Sequence, residues 1–567
     1  MEQFAPKLPL NTLDNALSVY KEWIRPLLSD AEFAQVEKIT TEFGKNEGPA
    51  LAQKLQKYVD SLPNNENWMA PFWTKMYLSI RDSLLTESNY ALHLAPLKDA
   101  AQTENVLFMA HWISCVGHVY QQIKNHPHNT YEEAGHIFCD LNTRNLLGCA
   151  RIPSENEDKW ENYSEFLTNI AVFYKNQCFI MPIFDKNNQL LSDAQIAAQL
   201  KAIQNEQGQS SCDFVASSFP GSDACVSFMK DFLSDAGNKK AFDELNKTIF
   251  HIVLTDEDFN NTPANQTDIL FALPHTRWCY KPVTFLMWKN NEISAHMEHT
   301  GADGITMMRI LQLAKTQFLQ QPVSTAQAAT ANEKNYHALS WHYSDAQNAQ
   351  LGKYLDEYKK KVSEYSLKIY DFNATSPHFA KTSRDALAQI VMQYGMNKII
   401  ELPQSIYAAC AMGHFREGRT EALRTVSPQA QAFVKDLEKN HQFNQELLDA
   451  ALLEHKNRIK MCKQGQAPTR YLSGLAWMSD GAAASIEFFQ NPLATRLGGN
   501  YFSTSNIGML NDLCTMFLFS PPVPSRYGFG YLISQDTIRF CISYHRADQA
   551  CLDKMIAGFD EFYQYTK

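Results

Sequence analysis

The chain has 567 residues, of which 45% are hydrophobic, 12% aromatic and 20% charged, with a formal net charge of -10 from 51 basic and 61 acidic side chains. That length exceeds what one core usually serves, so at least two domains are expected, and the composition excludes both a small stapled scaffold and a disordered chain. The acidic balance speaks against nucleic-acid binding, which relies on basic patches.

The first ninety residues read as helices, with Ser29 placed to cap one of them after Pro26-Leu27-Leu28. An apolar helical run from about Leu107 follows, then strand-like runs at Ile170 to Tyr174 and Phe179 to Phe184, a turn at Asp185 to Asn188, and a Ser192 cap before another helix. Val283 to Trp288 and Glu292 to Glu298 read as strands, and Ile305, Met308 and Leu311 then recur at helical spacing, which puts His299 near a strand-to-helix junction. Pro322 to Lys360 has the lowest apolar density and is the expected connection between two halves. The second half offers helices over Ser383 to Ile399, Gln429 to Lys439 and Asn444 to Met461, and strands near Tyr501, Leu513 to Phe519 and Ile538 to Tyr544. The fold class is α/β or α+β in two layered lobes.

Twelve cysteines lie scattered without a CxxC pair, which argues against a zinc ribbon or a redox dithiol. No secretory h-region opens the chain, so reduced thiols and a cytoplasmic setting or bacterial interior are expected. The closing Tyr565-Thr566-Lys567 is not a peroxisomal tripeptide. Val106 to Tyr120 and Leu513 to Val523 are too short or too broken to span a bilayer, so no membrane partner is expected.

The sharpest local pattern is Glu298-His299-Thr300-Gly301-Ala302-Asp303-Gly304. A histidine just off a strand can offer one ring nitrogen to a cleft as general base while a backbone carbonyl holds the other; the plainer alternative is a partly buried histidine with Asp303 in a structural ion pair. His296 and His299 have metal-like spacing, but on a strand they point to opposite faces, so no metal is expected. His126-Pro127-His128 reads as a solvated loop, and Gly528-Phe529-Gly530 lacks the third glycine of a dinucleotide fingerprint. Ser503-Thr504-Ser505 presents three hydroxyls at a strand end, either donors to an oxyanion or carboxylate or solvated groups on an edge strand. No GxSxG elbow is present.

Taken in order, Leu8-Pro9-Leu10, Asn67-Trp68, Phe72-Trp73, Arg151-Ile152-Pro153, Arg277-Trp278 with Lys281, Glu298 to Gly304, Gly418-Arg419-Thr420 with Arg424, Ser503-Thr504-Ser505 and Tyr527-Gly528 make the chain resemble the choline/carnitine acyltransferase family over nearly its full length. The resemblance implies a helical amino-terminal segment and two chloramphenicol-acetyltransferase-like lobes, divided here as residues 1–370 and 371–567, with an active-site tunnel at their interface. It implies a monomer with acyl-CoA as co-substrate, carnitine as acceptor, and no permanently bound cofactor. His299 matches the family's catalytic base and Ser505 its oxyanion donor; Asp303 matches the partner of the motif arginine, Arg419, which would orient the His299 loop. Tyr407, Thr420 and Arg470 match the carnitine-carboxylate positions, Ser503 stands with them, and Phe519 matches the aromatic ring beside the trimethylammonium. Lys381, Ser383 and Asp385 match the coenzyme side.

Two departures stand out. The family's second phosphate-binding lysine is replaced by Pro377, with His378 or Lys368 as the substitutes within reach in sequence. The stretch from Ser505 to Tyr527 is two residues longer than in short-chain members, so the position that reads acyl length is Phe517 counted from Tyr527 and Thr515 counted from Ser505. Phe517, and a blocked pocket for short acyl groups, is the favoured register. The rival readings are an acyltransferase using another acceptor and a catalytically silent binding protein of this fold.

Overall fold

The computed structural model describes all residues except 1–3, 64–65, 99, 134, 207–210 and 322–333. Helices α1 (Leu13–Ile24), α2 (Asp30–Lys45), α3 (Glu47–Ser61) and α4 (Ala70–Leu78) form the amino-terminal segment. Ser29 caps α2 as expected: its hydroxyl accepts from the Glu32 amide while the Glu32 carboxylate accepts from the Ser29 amide at 2.8 Å.

Two sheets follow. Strands β1 (Tyr90–Leu94), β2 (Asn169–Tyr174), β3 (Gln177–Pro182), β4 (His251–Leu254), β5 (Val283–Met287), β6 (Ile293–Met297) and β7 (His337–Ala338) belong to the first. Strands β8 (Tyr365–Asn373), β9 (Ile406–Ala411), β10 (Thr420–Arg424), β11 (Phe502–Met509), β12 (Cys514–Phe519), β13 (Tyr527–Ile533) and β14 (Thr537–His545) follow in the chain. The second sheet runs β8-β14-β13-β11-β9-β10, and the first runs β7-β3-β2-β4-β5-β6-β1-β12. β12 therefore leaves its sequence neighbours and pairs antiparallel with β1, Leu92 opposite Phe517.

Residue 370 falls within β8, and each lobe draws on both sides of it. Trp23, Val36 and Leu55 from the amino-terminal helices share a core with Phe502 and Phe529 of the second sheet, while Phe517 sits in the core of the first. That first core also takes α5 (Asn105–Asn125), buried along most of Val106–Tyr120. Burial on nearly all sides explains why the segment reads as one apolar run rather than an amphipathic stripe.

Helix α6 (Gly304–Gln320) follows β6. The expected connection over 322–360 is corrected in part. Residues 322–333 lie outside the described residues, but the remainder carries β7 and most of α7 (Asp345–Ser363), which Ser344 and Gln347 cap reciprocally. This helix buries only Leu351, Tyr358 and Val362, so its low apolar density marks an exposed helix and not a linker. Helices α8 (Arg384–Asn397), α9 (Gln445–Lys463) and α10 (Pro468–Trp477) pack in the second lobe.

β13 went unread in the sequence because Gly528 and Gly530 dilute its strand character. The glycines are there for proximity: a Cβ on Gly530 would stand 2.0 Å from the Phe517 carbonyl oxygen of β12. All twelve cysteines are free thiols, and all but Cys551 are buried. Among the described residues no helix is long and apolar enough to cross a membrane.

Candidate active site

A cavity of about 840 Å³ lies between the lobes, and His299, Asp303, Tyr407, Thr420, Ser503 and Ser505 all line it. His299 is carried on the six-residue loop between β6 and α6. Its ring stacks on Tyr77 of α4 (centroids 4.9 Å apart, 22° between planes) and meets Tyr90 of β1 edge-on at 4.9 Å. Nδ1 faces its own backbone carbonyl, Asp303 Oδ1 at 3.8 Å and Arg419 Nη2 at 3.5 Å; a proton on Nδ1 suits the two oxygens and leaves Nε2 with the lone pair. Burial, aided by the Arg419 charge, pulls the imidazole below its usual range, against the opposing pull of Asp303 and Glu298. A neutral imidazole with Nε2 free is the form a general base requires.

Asp303 occupies the N-cap position of α6, yet its side chain does not cap the helix. It is taken up by Arg419 across the lobes, Nε to Oδ2 at 2.8 Å and Nη2 to Oδ1 at 3.3 Å. Arg419 also donates to the carbonyls of His299 at 2.9 Å and Thr300 at 2.7 Å, so one guanidinium holds the loop at three points. It is itself delivered by a tight return: a Cβ on Gly418 would stand 1.9 Å from the Met412 carbonyl oxygen, which leaves room only for glycine. Arg419 thus acts on the loop and does not line the cavity.

Ser503 and Ser505 are two apart on β11 and face one side, and Ser503 lies beside Tyr407 in the parallel β9–β11 pair. Arg470 of α10 stands behind this wall: Nε donates to the Thr420 carbonyl at 3.1 Å, the guanidinium lies 4.2 Å from the Trp73 ring centre, and Glu421 is 4.0 Å away. Burial pushes the Glu421 carboxyl up to about 7, so the local balance of Arg470, Arg424 and Glu421 is positive near neutral pH.

Of the three residues that the sequence matched to the coenzyme, Asp385 lines the cavity, Lys381 is exposed and outside its lining, and Ser383 caps α8. Burial raises the Asp385 carboxyl, but hydrogen bonds from His455 at 3.1 Å and Tyr531 at 2.6 Å outweigh it and hold the group below its usual range. Lys463 at the end of α9 also lines the cavity, a cation the sequence did not point to. His378 and Lys368 are both exposed and do not line it.

Phe517 lines the cavity, 6.0 Å from Tyr90 and 5.4 Å from Phe519, whereas Thr515 does not and turns its hydroxyl towards the His93 carbonyl at 3.4 Å. His296 is buried within β6, and among the described residues no group of three or more His, Cys, Asp or Glu side chains could hold a metal. Tyr77 and Tyr90 were not singled out from the sequence, and Trp73 was named only as part of the amino-terminal motif, with no place in the site. Trp73 and Tyr77, four apart on a helix, carry the signature of ordinary packing, and only the fold turns them towards His299 and the two arginines.

The sequence model described as Choline/Carnitine o-acyltransferase matches residues 8–561. The carnitine O-acetyltransferase of Mus musculus is 24% identical over 571 residues, spanning 95% of this chain and 89% of that protein. The mitochondrial carnitine O-palmitoyltransferase 2 of Bos taurus is 20% identical over 612 residues, spanning 97% and 90%. Among solved structures, the trichothecene 15-O-acetyltransferase TRI3 of Fusarium sporotrichioides aligns at a TM-score of 0.39 and 11% identity, over 87% of this chain and 94% of that one. The match over residues 8–561 is nearly the whole chain, and the chain belongs to the choline/carnitine O-acyltransferase family.

Proposed function

We propose that this acyl-transferring enzyme exchanges a short acyl group between CoA and the hydroxyl of carnitine, with His299 as the base. The observation that carries the reading is the neutral His299 in the inter-lobe cavity, with Nδ1 held by its own carbonyl and serine hydroxyls lining the same space. Nε2 takes the proton of the acceptor hydroxyl as its oxygen attacks the thioester carbonyl. The Ser505 hydroxyl donates to the oxygen that becomes negative, and collapse expels the CoA thiolate, which recovers the proton from the imidazolium. The reverse reaction uses the same groups. Arg419 and Asp303 keep the loop in register.

The positive balance of Arg470 and Arg424 behind Tyr407 and Thr420 favours an acceptor with a carboxylate, hence carnitine over choline. The trimethylammonium would lie near Phe519. Purified protein should release free thiol from acetyl-CoA in the presence of carnitine and far less with choline; no release with any acyl-CoA would refute the reading. Arg470→Ala should raise the KM for carnitine about tenfold while that for acetyl-CoA stays nearly constant, through the loss of one positive charge close behind the wall that would face the carboxylate. An equal rise for both substrates would remove Arg470 from the carboxylate.

The Phe517 ring fills the cavity wall where an acyl chain would extend, which supports a short-acyl enzyme. Phe517→Gly should raise kcat/KM for octanoyl-CoA relative to acetyl-CoA by about tenfold or more, since pocket volume discriminates chain length at roughly that scale. An unchanged ratio would mean that chain length is read elsewhere.

A further inference from the structure

Arg151-Ile152-Pro153 has no part in the mechanism above, yet Arg151 is among the most deeply buried charges in the protein. We infer that Arg151 and Glu298 form a positioning pair that sets, from the first lobe, both the orientation and the basicity of His299. The inference takes from the proposed function only that His299 is the base.

The geometry is a clamp on the residues flanking His299. Glu298 accepts from the Thr300 amide at 3.0 Å and from the Thr300 hydroxyl at 2.5 Å, closing the backbone around residue 299. Arg151, on the strand Cys149–Ile152, donates through Nη1 to Glu298 Oε1 at 3.1 Å and to Thr300 Oγ1 at 3.2 Å. Its Nε holds Asp158 Oδ2 at 2.8 Å, and Nη2 the Ile80 carbonyl at 3.1 Å. Asp158 is held in turn by Arg81 at 2.9 Å and by the Ser222 hydroxyl at 2.6 Å. Arg419 grips the carbonyls of residues 299 and 300 from the second lobe, so the loop is fixed on both flanks by two arginines that have no contact with the cavity surface.

Two arginines, Arg151 and Arg81, face two buried carboxylates, Glu298 and Asp158, so these charges behind the loop balance; Asp223, a further partner of Arg81, is exposed to solvent. The other ionisable groups facing His299 are Tyr77 from α4, Tyr90 from β1, Asp303 on its own loop and Arg419 before β10. Removing one member of the Arg151–Glu298 pair leaves one net charge behind the imidazole, and its sign depends on which member is removed. A buried charge of either sign shifts a nearby titration in a definite direction.

The test is an NMR titration of His299 in the full-length protein, alongside Glu298→Gln and Arg151→Gln. Glu298→Gln leaves a net positive charge and should move the His299 titration to lower pH by at least about 0.5 unit; Arg151→Gln leaves a net negative charge and should move it to higher pH by a similar amount. A group that only supports the fold would lower the melting temperature without opposite shifts. In turnover, Glu298→Gln should lower kcat about tenfold with KM for acyl-CoA unchanged, and its acidic pH limb should move with the NMR titration. If both variants fold and His299 titrates as in the unmodified protein, or shifts the same way in both, the inference is overturned. If Arg151→Gln does not fold, the isosteric Glu298→Gln decides alone, and an unmoved titration overturns it. The titration needs no acyl transfer, so a failure of the proposed function reads separately from a failure of this pair.

Discussion

Replacing His299 by alanine should lower kcat by about 10³- to 10⁴-fold, the scale of a positioned general base, while the Kd for CoA measured by calorimetry stays within about twofold. The ring is kept uncharged and aimed at once: Tyr77 stacks on it, Tyr90 meets it edge-on, its own carbonyl holds Nδ1, and burial disfavours the imidazolium. Because the titration lies below the usual histidine range, the acidic limb of kcat/KM in the unmodified enzyme should also fall below that range. Activity should rise as pH increases through it, since the base works only when unprotonated. Substantial activity in His299→Ala would assign the proton transfer to another group.

The second large effect is expected at Ser505. Ser505→Ala should lower kcat by about 10²- to 10³-fold with little change in KM for either substrate, because a hydroxyl donor to the developing oxyanion gains strength only in the transition state. Ser503→Ala, two residues earlier on the same face of β11, should act mainly through the acceptor KM, since Ser503 lies beside Tyr407. Rates and KM values measured for the two single variants check the split. A pure KM effect at Ser505 would show that its hydroxyl binds the ground state.

How far the sequence carried the reading differs from residue to residue. His299, Asp303 and the start of α6 are contiguous, so a strand end, a HxxxDG pattern and helical spacing were enough to place them. The Asp303–Arg419 bond joins residues 116 positions apart, and no local pattern contains it; only the resemblance brought the two together. Thr515 and Phe517 have the same parity on β12, so strand periodicity cannot choose between them. The choice is made by packing, with Phe517 opposite Leu92 at the cavity and Thr515 over His93. Arg151 and Glu298 were visible as residues and silent as a pair, since a buried arginine looks in sequence like any other. Helix α7 was read as a linker because a long exposed helix needs few apolar positions.

The crossing of β12 has a consequence for how the lobes can part. The strand is continuous with the second lobe at both ends, through β11 and β13, yet five residue pairs stitch it to β1 of the first. Swinging the lobes apart like jaws would have to peel that edge away, exposing the buried rings of Tyr90 and Phe517. The two lobes are therefore tied together along this edge, and parting them would cost all five pairs.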